Sequence, residues 1–100
     1  MFTLEKVVEK YCHAVATMFH IEGRGYIREG YFADLVLVAP NNPWTVSKEN
    51  ILYKCGWSPF EGQKIHGWPM ATIVRGRVVM REDELQGPPA GRPVRFLECL

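Results

Sequence analysis

The sequence predicts a mainly β chain that opens with one α-helix. Three observations carry this. Apolar residues recur at helical spacing over residues 4–19. From Arg24 onward the chain breaks into short runs of β-forming residues separated by glycine, proline and asparagine. One of those runs, Leu35-Val36-Leu37-Val38, is apolar without interruption, the pattern of a strand covered on both faces and hence central in its sheet.

Leu4, Val7, Val8, Tyr11, Cys12, Val15, Met18 and Phe19 fall at i, i+3, i+4, i+7 and so share one side of a helix. Thr3 suits the N-cap, because its hydroxyl can accept from an amide of the first turn. Glu5 complements the positive end of the helix dipole, and Phe2 can staple onto Val7. Residues 20–25 end the helix, with Gly23 available for a left-handed conformation. Strands are expected over residues 26–28, 33–39, 44–46, 64–74, 77–81 and 92–97. Pro40-Asn41-Asn42-Pro43 has turn chemistry, since proline fixes φ and asparagine tolerates positive φ. Val74-Arg75-Gly76-Arg77-Val78 has the form of a hairpin, with Gly76 supplying the positive φ of a tight reversal. Residues 48–54 suit a short helical turn, and 55–62 form an irregular loop anchored by aromatics. Residues 87–91, Gly-Pro-Pro-Ala-Gly, make an exposed extended connection.

Composition narrows the function. Twelve basic and eleven acidic side chains leave a scattered net charge of +1, which gives no support for nucleic acid or an anionic membrane as partner. A hydrophobic fraction of 47% excludes a disordered chain. One hundred residues make one small domain or a piece of a larger one, not a complete barrel enzyme of about 200 residues or more. Cys12, Cys55 and Cys99 are odd in number and far apart, which implies a reducing, cytoplasmic setting and not a disulfide scaffold. No apolar run approaches the ~20 residues of a membrane span, and the first residues do not resemble a targeting signal.

One helix and five or six strands would leave sheet faces with too little to cover them. Either copies of the chain associate, or other parts of a larger protein complete the layers.

The residue types that carry chemistry do not converge. No pair among His13, His20 and His66 has a metal-ligand spacing, and His13 and His20 stand two helical turns apart. Cys12 lies on the apolar stripe, where a buried inert thiol is expected, and its neighbour His13 points elsewhere. Cys55 has no basic partner fixed beside it by sequence. Asp34 directly precedes a buried strand, and a carboxylate there is expected to accept backbone or arginine hydrogen bonds at the sheet end. Glu61 could meet Lys54 or Lys64 and fix the loop. Gly23-Arg24-Gly25 lacks the lysine, the hydroxyl residue and the strand-to-helix context of a phosphate loop.

Two motifs carry a resemblance. Residues 21–38, with Gly25, Ile27, Gly30, Ala33, Asp34 and Leu35-Val36-Leu37-Val38 in the pattern G-x-I-x-x-G-x-x-A-D-L-V-L-V, resemble the segment of the amidohydrolase superfamily that leaves the barrel and enters its β-domain. Residues 50–62, which include Cys55-Gly56-Trp57-Ser58-Pro59-Phe60-Glu61-Gly62, with Ala71-Thr72-Ile73-Val74-Arg75-Gly76 downstream, resemble the tail of the dihydroorotases. The resemblance implies a parent that interconverts dihydroorotate and N-carbamoyl-aspartate in pyrimidine biosynthesis, with zinc in a (β/α)-barrel. It implies that the zinc ligands and catalytic aspartate lie upstream, so that no catalytic, substrate-binding or metal residue and no cofactor falls in this chain. Residues 1–22 would be the last outer helix of the barrel, and 23–100 the C-terminal portion of a small composite β-sandwich. Gly30, Asp34, Pro59, Gly62 and Gly76 would then be structural. The partners would be the remainder of the parent chain, the barrel and N-terminal strands, with self-association of the isolated chain. Allantoinases and hydantoinases share the first motif, and a free-standing β interaction module is the rival from another class.

Overall fold

The amphipathic spacing of residues 4–19 does produce a helical rod, though not a uniform one. In the computed structural model, which describes residues 2–97, α1 spans Leu4–Val8 and α2 spans Ala14–Met18. Between them Glu9–His13 forms a wider π turn, its end marked by the Ala14 amide donating to the Glu9 carbonyl. The Thr3 hydroxyl accepts from the Lys6 amide at 3.2 Å and caps the rod. The rod ends at His20, within the span expected to stop it, and Gly23 takes a left-handed φ of 67°. His20 takes a φ of 53°, its amide donates to the Thr17 carbonyl, and the Ile21 amide reaches back to the Ala16 carbonyl at 2.9 Å. Those two bonds satisfy carbonyls that a helix end leaves open.

Four strands form one antiparallel sheet in the order β1 (Leu35–Thr45), β2 (Lys64–Val74), β3 (Arg77–Arg81) and β4 (Glu84–Leu85). β2 and β3 coincide with their expected spans, whereas β4 was not foreseen. The reversal from β2 to β3 uses Arg75 and Gly76, with φ of 52° and 79°. Two successive positive φ values match the right-handed twist of the flanking strands. Glu82 and Asp83 repeat the device between β3 and β4 with φ of 49° and 66°.

The structure corrects several expectations. Pro40 to Pro43 is not a reversal. β1 continues through it on the same partner, pairing Ala39 with Trp68 and then Pro43 with His66, so β1 holds two surplus residues that bow away from the ladder. The strand containing Leu35 to Val38 is an edge strand, and Val36, Leu37 and Val38 are exposed. Its apolar run marks surface awaiting cover, because no described element lies on its outer side. Residues 26–28 form no strand. Residues 92–97 contribute only the bridge of Phe96 to Ile21, with the Glu22 amide donating to the Arg95 carbonyl at 2.9 Å. Trp57 and Phe60, expected to anchor their loop, are both exposed.

Among the described hydrophobic residues only Ala16 and Ala71 are buried. The accessible surface is 8561 Å², whereas a folded monomer of this size exposes about 5,800 Å². The radius of gyration of 15.9 Å likewise exceeds the about 13 Å of a compact chain of this length. The layers anticipated as incomplete are incomplete. Among the described residues no helix is long and apolar enough to cross a membrane.

Candidate functional site

The polar side chains gather where the rod, the link after it and the β2–β3 turn meet. Asp34, the residue before β1, accepts from the Arg24 Nε at 2.6 Å through one carboxylate oxygen and from the Arg75 amide at 2.8 Å through the other. The Gly76 amide donates to the Ala33 carbonyl at 3.0 Å, so the turn is held at two adjacent points. Arg24 also lies over the Phe32 ring, 4.2 Å from its centroid. Partial burial pushes the Asp34 carboxyl up, but the Arg75 amide and the Arg24 guanidinium outweigh it and hold the group below its ordinary value. Both carboxylate oxygens are engaged, which suits fixation and not proton abstraction.

A second cluster stacks beside it. The His13 ring lies 4.1 Å from that of Tyr26, nearly parallel, and the Arg28 guanidinium lies 4.0 Å from the Tyr26 centroid. His13 Nδ1 is 2.6 Å from the Gly25 carbonyl oxygen. A carbonyl only accepts, so Nδ1 carries the proton. Gly25 has a φ of 89°, and a Cβ there would meet the Ala16 Cβ and lie 2.8 Å from the Cys12 carbonyl oxygen. Only glycine permits this approach of the link to the rod.

The remaining residues given structural roles sit in turns. Gly30 has a φ of 82° in the turn where the Tyr31 amide donates to the Arg28 carbonyl. Pro59 lies inside the turn closed by the Glu61 amide on the Ser58 carbonyl, and the Gly62 amide, at φ 85°, donates to Val46 at 2.8 Å. Glu61 forms no ion pair with Lys54 or Lys64 among the described residues; the turn is held by backbone and by the Ser58 hydroxyl instead. Cys12 is exposed, contrary to the buried thiol expected, because nothing covers that side of the rod. Cys55 is exposed, with its thiol 3.8 Å from the Trp57 carbonyl oxygen. Cys99 lies outside the described residues.

Sequence reasoning missed Trp44 and Trp68, whose rings stack at 3.6 Å with the Trp68 Nε1 donating to Asp83 at 2.8 Å. Both tryptophans stood in expected strands, but their meeting depends on the two-residue surplus in β1. Among the described residues no three His, Cys, Asp or Glu side chains converge as metal ligands, so the residues present do not fit a zinc ion.

The comparisons with known proteins complete this picture. No family model matches the chain. The dihydroorotase of Pyrococcus furiosus is 38% identical over 94 residues, 94% of this chain and 22% of that protein. The allantoinase of Desulfitobacterium hafniense strain Y51 is 33% identical over the same length and 21% of its own. The L-hydantoinase (dihydropyrimidinase) of Arthrobacter aurescens superposes with a TM-score of 0.76 at 30% identity, over 86% of this chain and 19% of that one. Sequence and backbone agree: the chain is similar to one portion of the cyclic amidohydrolases. It spans about a fifth of the length of the curated relatives it matches, among which dihydroorotases and allantoinases both occur. The relatives belong to the hydrolases.

Proposed function

We propose that the chain is the C-terminal, non-catalytic part of a dihydroorotase-type zinc amidohydrolase of the cytoplasm, whose whole interconverts dihydroorotate and N-carbamoyl-aspartate in pyrimidine biosynthesis. In this reading residues 1–22 are the last outer helix of the barrel and 23–100 supply strands to a composite β-sandwich. The remainder of the parent chain brings the zinc ligands and covers the apolar faces. The observation that carries the reading is the match of dihydroorotases to nearly the whole chain. The chain's own residues have a mechanical role. Asp34 and Arg24 tie the link to the β2–β3 turn, while His13 and Gly25 tie the link to the rod. The allantoinase relatives and the hydantoinase backbone support a second reading, in which the parent opens allantoin or a hydantoin.

The test is to incubate the purified chain with zinc and, separately, with dihydroorotate, allantoin and hydantoin. No hydrolysis above background and no stoichiometric zinc are expected. One zinc per chain, with turnover that a chelator abolishes, would overturn the non-catalytic assignment.

A further inference from the structure

The β2–β3 turn and the strap after β4 enclose a notch of about 460 Å³, lined among others by Val74, Arg75, Arg77, Pro89, Gly91 and Arg92. Three guanidinium-bearing residues meet there, and among the described residues no carboxylate lines it. Among the described residues the ion pairs are Lys6–Glu9 and Arg24–Asp34, so none of the three is paired. Asp34 stands close enough to Arg75 to feel its charge, yet its oxygens are engaged by the Arg24 side chain and the Arg75 amide, and it is not part of the lining. The three arginines thus share one notch with no carboxylate among its described lining residues, in a chain whose net charge is only +1. A bound anion suits that excess of positive charge, and the guanidinium fork matches the paired oxygens of phosphoryl groups. The volume lies in the range of small-molecule sites, about 300–1,000 Å³. A Cβ on Gly76 or Gly91 would meet nothing within 4 Å, so the rim is open to a ligand.

We propose that this notch binds a diphosphate group, whose three or so negative charges balance the three arginines where a single carboxylate would not. The inference is independent of the reaction assigned to the parent. Equilibrium dialysis of the full chain against labelled inorganic pyrophosphate, at constant ionic strength, tests it. One pyrophosphate per chain, bound saturably, is expected. Arg77→Gln and Arg92→Gln should each weaken binding about tenfold, while Arg81→Gln, on β3 outside the notch, leaves it unchanged. All three side chains belong to exposed residues, and an unchanged far-ultraviolet circular dichroism spectrum confirms that each variant folds alike. A second arm with a nucleoside diphosphate separates a phosphate ester from the free anion as the natural source. Uptake that never saturates, an equal loss with Arg81→Gln, or saturable binding of citrate without binding of pyrophosphate would overturn the proposal.

Discussion

The link between rod and sheet, residues 20–34, and the loop between β1 and β2, residues 51–62, are both irregular, rich in aromatics and marked by glycines at positive φ. They differ in where their side chains go. In the link, Arg24, Tyr26, Arg28 and Asp34 reach the rod, the β2–β3 turn or one another. The loop is tied to the sheet at its base by Gly62 and Val46, and its Trp57 and Phe60 are 58% and 59% exposed. Those four side chains of the link complete their interactions within the chain, although its Ile27 is 88% exposed. The loop presents apolar surface to something else, and the two ought to respond to substitution in opposite ways.

The largest effect is expected at Gly25. Gly25→Ala forces a side chain into a positive φ and against the rod backbone, and should cost about 3 kcal/mol in urea unfolding at fixed protein concentration. A cost below about 1 kcal/mol would mean that the link does not depend on that approach. Asp34→Ala orphans the Arg24 side chain and the Arg75 amide and should lower stability by about 1–3 kcal/mol; in the full-length parent it should leave turnover per folded molecule unchanged. Acid should act on the same lock. A carboxyl held below its ordinary value stabilises the fold fully above the unfolded pKa of about 3.9. That contribution is lost as pH falls from there through the folded value. Unfolding midpoints taken from pH 6 downwards should therefore fall less steeply in Asp34→Asn than in the unaltered chain. The smallest change in stability belongs to the loop: Trp57→Ser should shift the unfolding free energy by no more than about 0.5 kcal/mol. Sedimentation at micromolar concentration should find the unaltered chain associated through its apolar faces, and less so after this substitution. A compact monomer before substitution would show that the chain covers itself.

Legibility in the sequence followed the range of the interaction. Local signals placed the Thr3 cap, the β2 and β3 spans and the reversal at Gly76, because each depends on a few neighbouring residues. The rod ends within residues 20–25 as read and Gly23 is left-handed with a φ of 67°, but composition did not show that His20 also takes a positive φ, fixed by the bonds back to Ala16 and Thr17. The fate of Leu35 to Val38 was illegible for a different reason. An uninterrupted apolar run reports that a strand wants cover on both faces, and cannot report whether the covering residues belong to the same hundred. The partnership of Arg24 with Asp34 was half legible. The acid's need was evident from its place before a strand, but which arginine answers it depends on the left-handed link between them.

The bowed segment of β1 bears on how copies of this chain can come together. Pro40 and Pro43 carry no amide hydrogen, and the residues between them stand off the ladder. An incoming strand finds only Leu35 to Ala39 as an apolar edge, its register already shifted after Leu37, shorter than the six or seven residues (roughly) of a segment that can seed cross-β growth. The prolines thus work as gatekeepers beside the stickiest strand. Clumping of this chain should stay amorphous and reversible on dilution, without the fibre diffraction or dye response of amyloid.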